Sequence, residues 1–281
     1  MEQCFICGKR CLTLVYKNAG CNKWYLCKFC GNMIPIKEKT SVEVSEIWNN
    51  VRNSDDGYFD KRETYLNEAA SIVYNIYRKF FEKKTSVFDV GCGYGNLLNI
   101  LKKRGFNVCG IETDASTLNQ HIKYGLKTHI GSIEQYNING NYDIFMFNYS
   151  IYFITDIVKV MGKIKRCMNK DGIVCITIAD LWTYKNNDSP GKSHAFYPNI
   201  YSLVKLMEIC GFIVISIKKY KDSYYTVFGI DNKNDYTVKG INKYIYYYIY
   251  FLIKSKQMRF KIFGSVYNFI RKLFIWFIKK Q

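Results

Sequence analysis

The chain has 281 residues, 48% of them hydrophobic, enough to fill a core of ordinary size and to exclude global disorder. Its formal charge of +18 is concentrated: residues 236–281 hold ten Lys and Arg and no Asp or Glu. A basic tail on a mixed-charge body argues against a domain built throughout for nucleic acid.

Residues 1–38 carry six of the eleven cysteines, with no apolar stretch and small-residue cleavage site ahead of them. A reducing, cytoplasmic setting is expected, where paired cysteines bind metal more often than they form disulfides. Cys4-Phe5-Ile6-Cys7-Gly8 and Cys27-Lys28-Phe29-Cys30-Gly31 form two matched knuckles with nineteen residues between them. Two thiolates separated by two residues reach one ion from a tight turn, and four thiolates favour Zn²⁺ in a closed structural shell. Cys4, Cys7, Cys27 and Cys30 are the expected ligands of a zinc-binding ribbon. Cys11 and Cys21 read as small, partly buried residues, either of which could replace a ligand. The ribbon lacks the interleaved aromatic and basic residues of a stacking platform, which disfavours RNA or DNA as its partner.

From Ile47 to Phe80 apolar residues recur at helical spacing. Short apolar runs at Ser86–Val90, Asn107–Glu112, Tyr142–Phe147, Gly172–Ile178, Phe212–Ile217 and Tyr225–Ile230 then read as buried strands. Helical stretches lie near 95–104, 115–124, 154–168 and 200–210. This alternation predicts an α/β domain over 39–235 with a doubly wound, mostly parallel sheet of seven strands. Too little chain separates the last two strands for a helix, so they should pair antiparallel.

Asp89-Val90-Gly91-Cys92-Gly93-Tyr94-Gly95 follows the first of these strands and opens a helix. Glycines there let the backbone turn sharply and let a ligand approach the main chain. Glu112, twenty-one residues after Gly91, ends the next strand, where such folds place a carboxylate for a ribose diol. A dinucleotide loop would carry two residues between its second and third glycines; here Tyr94 alone separates Gly93 from Gly95. A carboxylate at Asp89 would repel a diphosphate and suits a cofactor bearing a sulfonium and an ammonium.

These residues resemble motif I of the class I S-adenosylmethionine-dependent methyltransferases. Val108-Cys109-Gly110-Ile111-Glu112 resembles the second motif, whose acid binds the cofactor ribose. Gly131-Ser132-Ile133-Glu134 is similar to the loop beside the adenine, with Ser132 where the family commonly has Asp. The resemblance spans about residues 58–230 and implies a Rossmann-like methyltransferase fold using S-adenosylmethionine, with Asp89, Gly91, Gly93, Gly95, Glu112 and Ser132 as cofactor-binding residues. His194-Ala195-Phe196, followed by an apolar helix ending in Gly211-Phe212, resembles the branch acting on sugars, quinones and lipid-linked glycans. N-terminal ribbons of this type also resemble those of sugar C-methyltransferases, where they help cover the substrate. That group carries a Glu where this chain has Ser193, which argues against C-methylation.

A small-molecule acceptor, most simply a sugar or glycan hydroxyl, is therefore expected, with His194 as the base that removes its proton. The competing classes are an RNA/DNA methyltransferase and a zinc-bearing binding module without catalysis. The turn Asn148-Tyr149-Ser150-Ile151 lacks the Asn-Pro-Pro-Tyr pattern that grips a base amino group. Residues 236–281 form a basic, aromatic, helical tail. Tyr244–Ile253 is too short an apolar run to span a bilayer, and beyond it Val266, Ile270, Leu273, Phe274 and Phe277 share one side of a helical wheel. That face suits either peripheral membrane contact or packing against protein.

Overall fold

The computed structural model describes residues 3–17, 23–35, 40–53, 59–180, 194–231 and 240–257. Cys21, Ser193 and the amphipathic segment from Val266 to Phe277 lie outside these ranges. Three short strands, β1 (Leu12–Lys17), β2 (Lys23–Cys27) and β3 (Met33–Pro35), form an antiparallel N-terminal sheet. Helices α1 (Ser41–Asn53) and α2 (Glu63–Tyr77) lead into the main domain. Thr40 and Glu43 cap α1 reciprocally, Glu43 N donating to Thr40 Oγ1 and Thr40 N to Glu43 Oε2.

The main domain then runs β4 (Ser86–Val90), α3 (Asn96–Lys102), β5 (Asn107–Glu112), α4 (Leu118–Lys123), β6 (Lys127–Ile130) and β7 (Tyr142–Asn148). It continues through α5 (Ile157–Arg166), β8 (Met168–Ala179), α6 (Ile200–Ile209), β9 (Phe212–Tyr220) and β10 (Ser223–Ile230), and α7 (Lys243–Gln257) follows. The seven strands from β4 onward pair in the order β6-β5-β4-β7-β8-β10-β9. β4 to β8 are parallel, and β10 runs antiparallel to both neighbours. The expected sheet and its closing hairpin are both present. β6 is the strand whose limits the sequence hides: it lies at the edge, mostly exposed, and lacks a buried periodicity.

Alternate strand residues feed the two faces. Val87, Ile144 and Met146 pack with Val73 and Tyr77 of α2 and Leu98 and Leu101 of α3. Phe88, Phe145 and Phe147 pack on the other face with Val160 and Ile164 of α5 and Leu203 and Leu206 of α6. Cys4, Ile6, Cys27 and Ile34 of the N-terminal sheet join this second cluster, so the ribbon shares the domain's core.

Hydrogen bonds fix the attachment. Tyr197 N donates to Met33 O at 2.8 Å, Asn32 Nδ2 to Ser202 O at 3.2 Å, and Asn199 Nδ2 to Gly31 O at 3.2 Å. On its outer side the ribbon receives α7: Tyr246, Ile249 and Ile253, one helical stripe, pack against Val15, Trp24, Leu26 and Met33. Of the two fates expected for the tail, its first helix thus follows packing against protein. Tyr244 and Tyr247 on the same helix stay exposed.

Candidate active site

The chain leaves β4 for β5 and β6 on one side and returns to β7 on the other. A crevice therefore opens between the carboxyl ends of β4 and β7, where such sheets bind ligands. Three glycines of the loop beside it lie in the left-handed region, with φ of +76° at Gly91, +55° at Gly93 and +78° at Gly95. A Cβ on Gly91 would lie 2.6 Å from Ser150 Cβ, whereas one on Gly93 would meet nothing within 4 Å. The loop is pressed on the protein at both ends, on Ser150 at Gly91 and on Leu126 at Gly95, and bare in its middle, as close approach of a ligand requires.

Both sides of the Gly93 residue are held. Its N–H donates to Glu112 Oε2 at 2.8 Å, and its carbonyl accepts from His121 Nε2 at 2.6 Å. His121 is 1% exposed, and its Nδ1 accepts from Thr128 Oγ1 at 3.0 Å. It is a prop for the loop that no motif marks. Glu112 Oε1 accepts from Thr113 N and Asp114 N at 2.9 and 3.1 Å, fixing the carboxylate at the end of β5.

Asp89 is 2% exposed, and its Oδ1 has no hydrogen-bond partner. Burial, with the nearby charge of Glu112, pushes its pKa up to about 7. A buried carboxyl group with an uncommitted oxygen fits a cationic ligand group. Across the crevice, Asn148 Oδ1 is likewise buried without a partner. Tyr149 adopts φ +56°, and its hydroxyl bonds Ser223 Oγ at 2.6 Å. Ser150 Oγ donates to Val90 O, tying this turn to the strand before the glycine loop.

Asp89, Gly93, Glu112, Asn148, Tyr149 and Ser150 line one cavity of about 340 Å³. Ser41 and Val44 of α1 and Tyr65 and Leu66 of α2 contribute to it from one side, Ser132, Ile133 and Glu134 after β6 from another, and Phe153 near β7. Asp89, Gly91, Gly93, Glu112 and Ser132 all belong to this lining, while Gly95 sits behind it against Leu126 and His121. His194 is not part of the lining. Its ring centroid lies 5.1 Å from that of Phe153, which is, and 4.8 and 5.0 Å from those of Tyr152 and Tyr197. Sequence reasoning missed Tyr65, Asn148 and Phe153 as cavity residues, because nothing local distinguishes them from core positions.

The second constellation is the ribbon's thiol cluster. The sulfurs of Cys4, Cys7, Cys27 and Cys30 all lie within 4.8 Å of one another. Cys4–Cys30 and Cys7–Cys27 are 3.7 and 3.6 Å apart. Each knuckle closes with a backbone hydrogen bond, Gly8 N donating to Cys4 O and Gly31 N to Cys27 O, at 2.8 and 2.9 Å. Cys11 Sγ stands 3.6 Å from Cys27 but outside the group of four.

A sheet of this order, with a glycine loop after its first strand and an acid ending the next, defines a class I S-adenosylmethionine-dependent methyltransferase. The chain belongs to the methyltransferase domain family, whose model matches residues 60–217. Comparison with curated proteins finds no match. Among solved structures, the 1,6-didemethyltoxoflavin-N1-methyltransferase of Burkholderia thailandensis aligns with TM-score 0.55 at 12% identity, covering 79% of this chain and all (100%) of that one. The PH0226 protein of Pyrococcus horikoshii aligns with TM-score 0.52 at 16% identity over 65% and 99% of the two chains. The CcbJ methyltransferase of Streptomyces caelestis gives 0.50 at 8% over 58% and 90%. At these identities the likeness is one of fold.

Proposed function

We propose that this enzyme moves a methyl group from S-adenosylmethionine to a small-molecule acceptor, with a hydroxyl of a sugar or lipid-linked glycan as its class. The observation that carries this reading is the cavity, whose lining joins polar groups from β4, β5 and β7 with the aromatic side chains of Tyr65, Tyr149 and Phe153. The Burkholderia structure contains bound 1,6-didemethyltoxoflavin and S-adenosylhomocysteine, and a similar pairing of cofactor with compact acceptor is proposed here. The turn Asn148–Ile151, without a base-gripping motif, supports a small molecule over nucleic acid.

In this reading Asp89 receives the cationic methionyl end of the cofactor and Glu112 the ribose diol. Ser132 faces the adenine, and Gly91, Gly93 and Gly95 shape the loop between them. The bound cofactor supplies an activated methyl group on its sulfonium. Asn148 Oδ1 accepts a hydrogen bond from the acceptor and aligns it. His194, packed on the cleft residue Phe153, takes the hydroxyl proton. His194→Asn should leave S-adenosylhomocysteine affinity intact and lower turnover by about 10²-fold or more, less so at high pH where the acceptor ionises unaided. Undiminished turnover would leave an enzyme that works by alignment alone.

Cys4, Cys7, Cys27 and Cys30 are proposed to hold one structural Zn²⁺ in the ribbon of residues 1–38. Zn–S bonds of about 2.3 Å in a tetrahedron separate sulfurs by about 3.8 Å, and the observed 3.6 and 3.7 Å support that fit. The tail of residues 236–281 is proposed to touch anionic membrane, presenting Tyr244 and Tyr247 outward from the domain of residues 39–235. The acceptor class is tested by S-adenosylhomocysteine release with sugar nucleotides, lipid-linked sugars, RNA and DNA in parallel. Turnover on nucleic acid alone would overturn the reading.

A further inference from the structure

S-Adenosylmethionine is a linear molecule: methionine, ribose, adenine. β5 lies between β4 and β6, so a cofactor with its methionine at Asp89 and its ribose at Glu112 must set its adenine against the loop after β6. That placement rests on the function proposed above. The loop, Gly131 to Glu134, offers a purine an apolar side chain, Ile133, and two polar ones, Ser132 and Glu134.

The two polar groups are bonded to each other. Ser132 Oγ donates to Glu134 Oε2 at 2.5 Å, and Glu134 N donates back to Ser132 Oγ at 3.2 Å. A serine hydroxyl has one hydrogen and two lone pairs. Here the hydrogen and one lone pair are committed inward, leaving one lone pair. Glu134 is itself locked: its Oε1 accepts from Thr155 N and Oγ1 at 2.9 and 3.0 Å. The loop backbone is clamped by Lys163 Nζ, which donates to the carbonyls of Ile133, Glu134 and Tyr136 at 2.8, 3.2 and 2.6 Å. Such a hydroxyl cannot turn to donate without breaking a charge-assisted bond.

We propose that Glu134 is a positioning residue that makes the Ser132 hydroxyl an obligate acceptor for the 6-amino group of the cofactor's adenine. The pair then does through two side chains what one carboxylate does where an Asp occupies the serine position. It selects a 6-aminopurine over a 6-oxopurine, because an oxo group would face the serine's lone pair with no hydrogen between them. Glu134 never touches the cofactor in this arrangement.

The test is calorimetry with S-adenosylhomocysteine and S-inosylhomocysteine, which differ in that 6-substituent. Wild-type protein should favour the adenine form by about tenfold, the cost of one unmade hydrogen bond to a held polar group. Glu134→Gln keeps an oxygen for Thr155 but sets a donating amide NH₂ against Ser132 Oγ, so the serine hydrogen turns to the purine and the preference should vanish or invert. Adding Ser132→Asp to that variant should restore it. A Glu134→Gln protein that weakens both ligands equally, or neither, overturns the relay by reducing Glu134 to loop support. A Ser132→Ala protein that keeps the tenfold preference overturns it by giving the contact to Glu134 directly. If folded wild-type protein, with a cooperative melting transition, binds neither ligand, the cofactor reading itself fails. Binding with a preference indifferent to Glu134→Gln sinks the relay alone.

Discussion

Asp89 holds a proton under the glycine loop that an exposed aspartate would have lost, with its pKa raised from 3.8 to about 7. The native protein therefore binds more protons than the unfolded chain across that window. Unliganded stability should fall as pH rises from about 4 to about 7, by up to about 4 kcal/mol from this group. A cationic ligand favours the ionised form, so cofactor affinity should rise over the same window. Asp89→Asn should flatten both trends in melting curves and in calorimetry run between about pH 5 and pH 8. A variant with the wild-type pH profile of binding would separate this carboxyl from the cofactor cation. Beside the ribose role proposed for it, the Glu112 carboxylate organises Gly93, Thr113 and Asp114. Glu112→Ala should weaken S-adenosylhomocysteine binding by about 1–3 kcal/mol, and unchanged affinity would remove the ribose assignment.

At the level of elements, the glycine loop depends on neighbours from two directions. Gly91 needs positive φ, and a side chain there would collide with the Ser150 Cβ at 2.6 Å. Gly91→Ala should therefore cost about 2 kcal/mol or more in stability and weaken cofactor binding, as thermal unfolding with and without S-adenosylhomocysteine would report. Helix α7 opens a tail for which the sequence leaves two destinies, membrane contact and packing against protein. Ile249, fully buried against the ribbon, marks which destiny this segment follows. Ile249→Ala should lower unfolding free energy by about 2–4 kcal/mol; a change within experimental error would mean that α7 leaves the ribbon in solution.

On the scale of the whole molecule, ribbon and sheet domain share one apolar cluster in which Cys4, Cys27 and Ile34 touch the same core as Phe145 and Leu203. Metal removal should therefore be felt beyond the knuckles. Chelation should release one zinc per chain and lower the melting temperature of the whole protein in one cooperative transition. A sheet-domain transition that stays in place while the ribbon melts separately would show two independent units. No helix among the described residues is long and apolar enough to cross a membrane. Sedimentation with anionic vesicles would detect the contact proposed for the tail.

The sequence by itself determined whatever depends on local periodicity and spacing. Strands at Ser86–Val90 and Asn107–Glu112 and the run Gly91, Gly93, Gly95 were legible because each states its geometry within a dozen residues. The four thiols were legible too, since two short knuckles can reach one point. Tertiary structure alone decided what lies opposite what. It buried His121 under Gly93, set Asn148 across from Asp89, and brought Thr155 to Glu134 across the loop. It also laid the stripe of Tyr246, Ile249 and Ile253 on Trp24 and Leu26. The physical reason is common to all four. A buried polar group or an apolar stripe requires a partner, but many residues can supply one, and only the packing of the sheet, its helices and the ribbon selects which does.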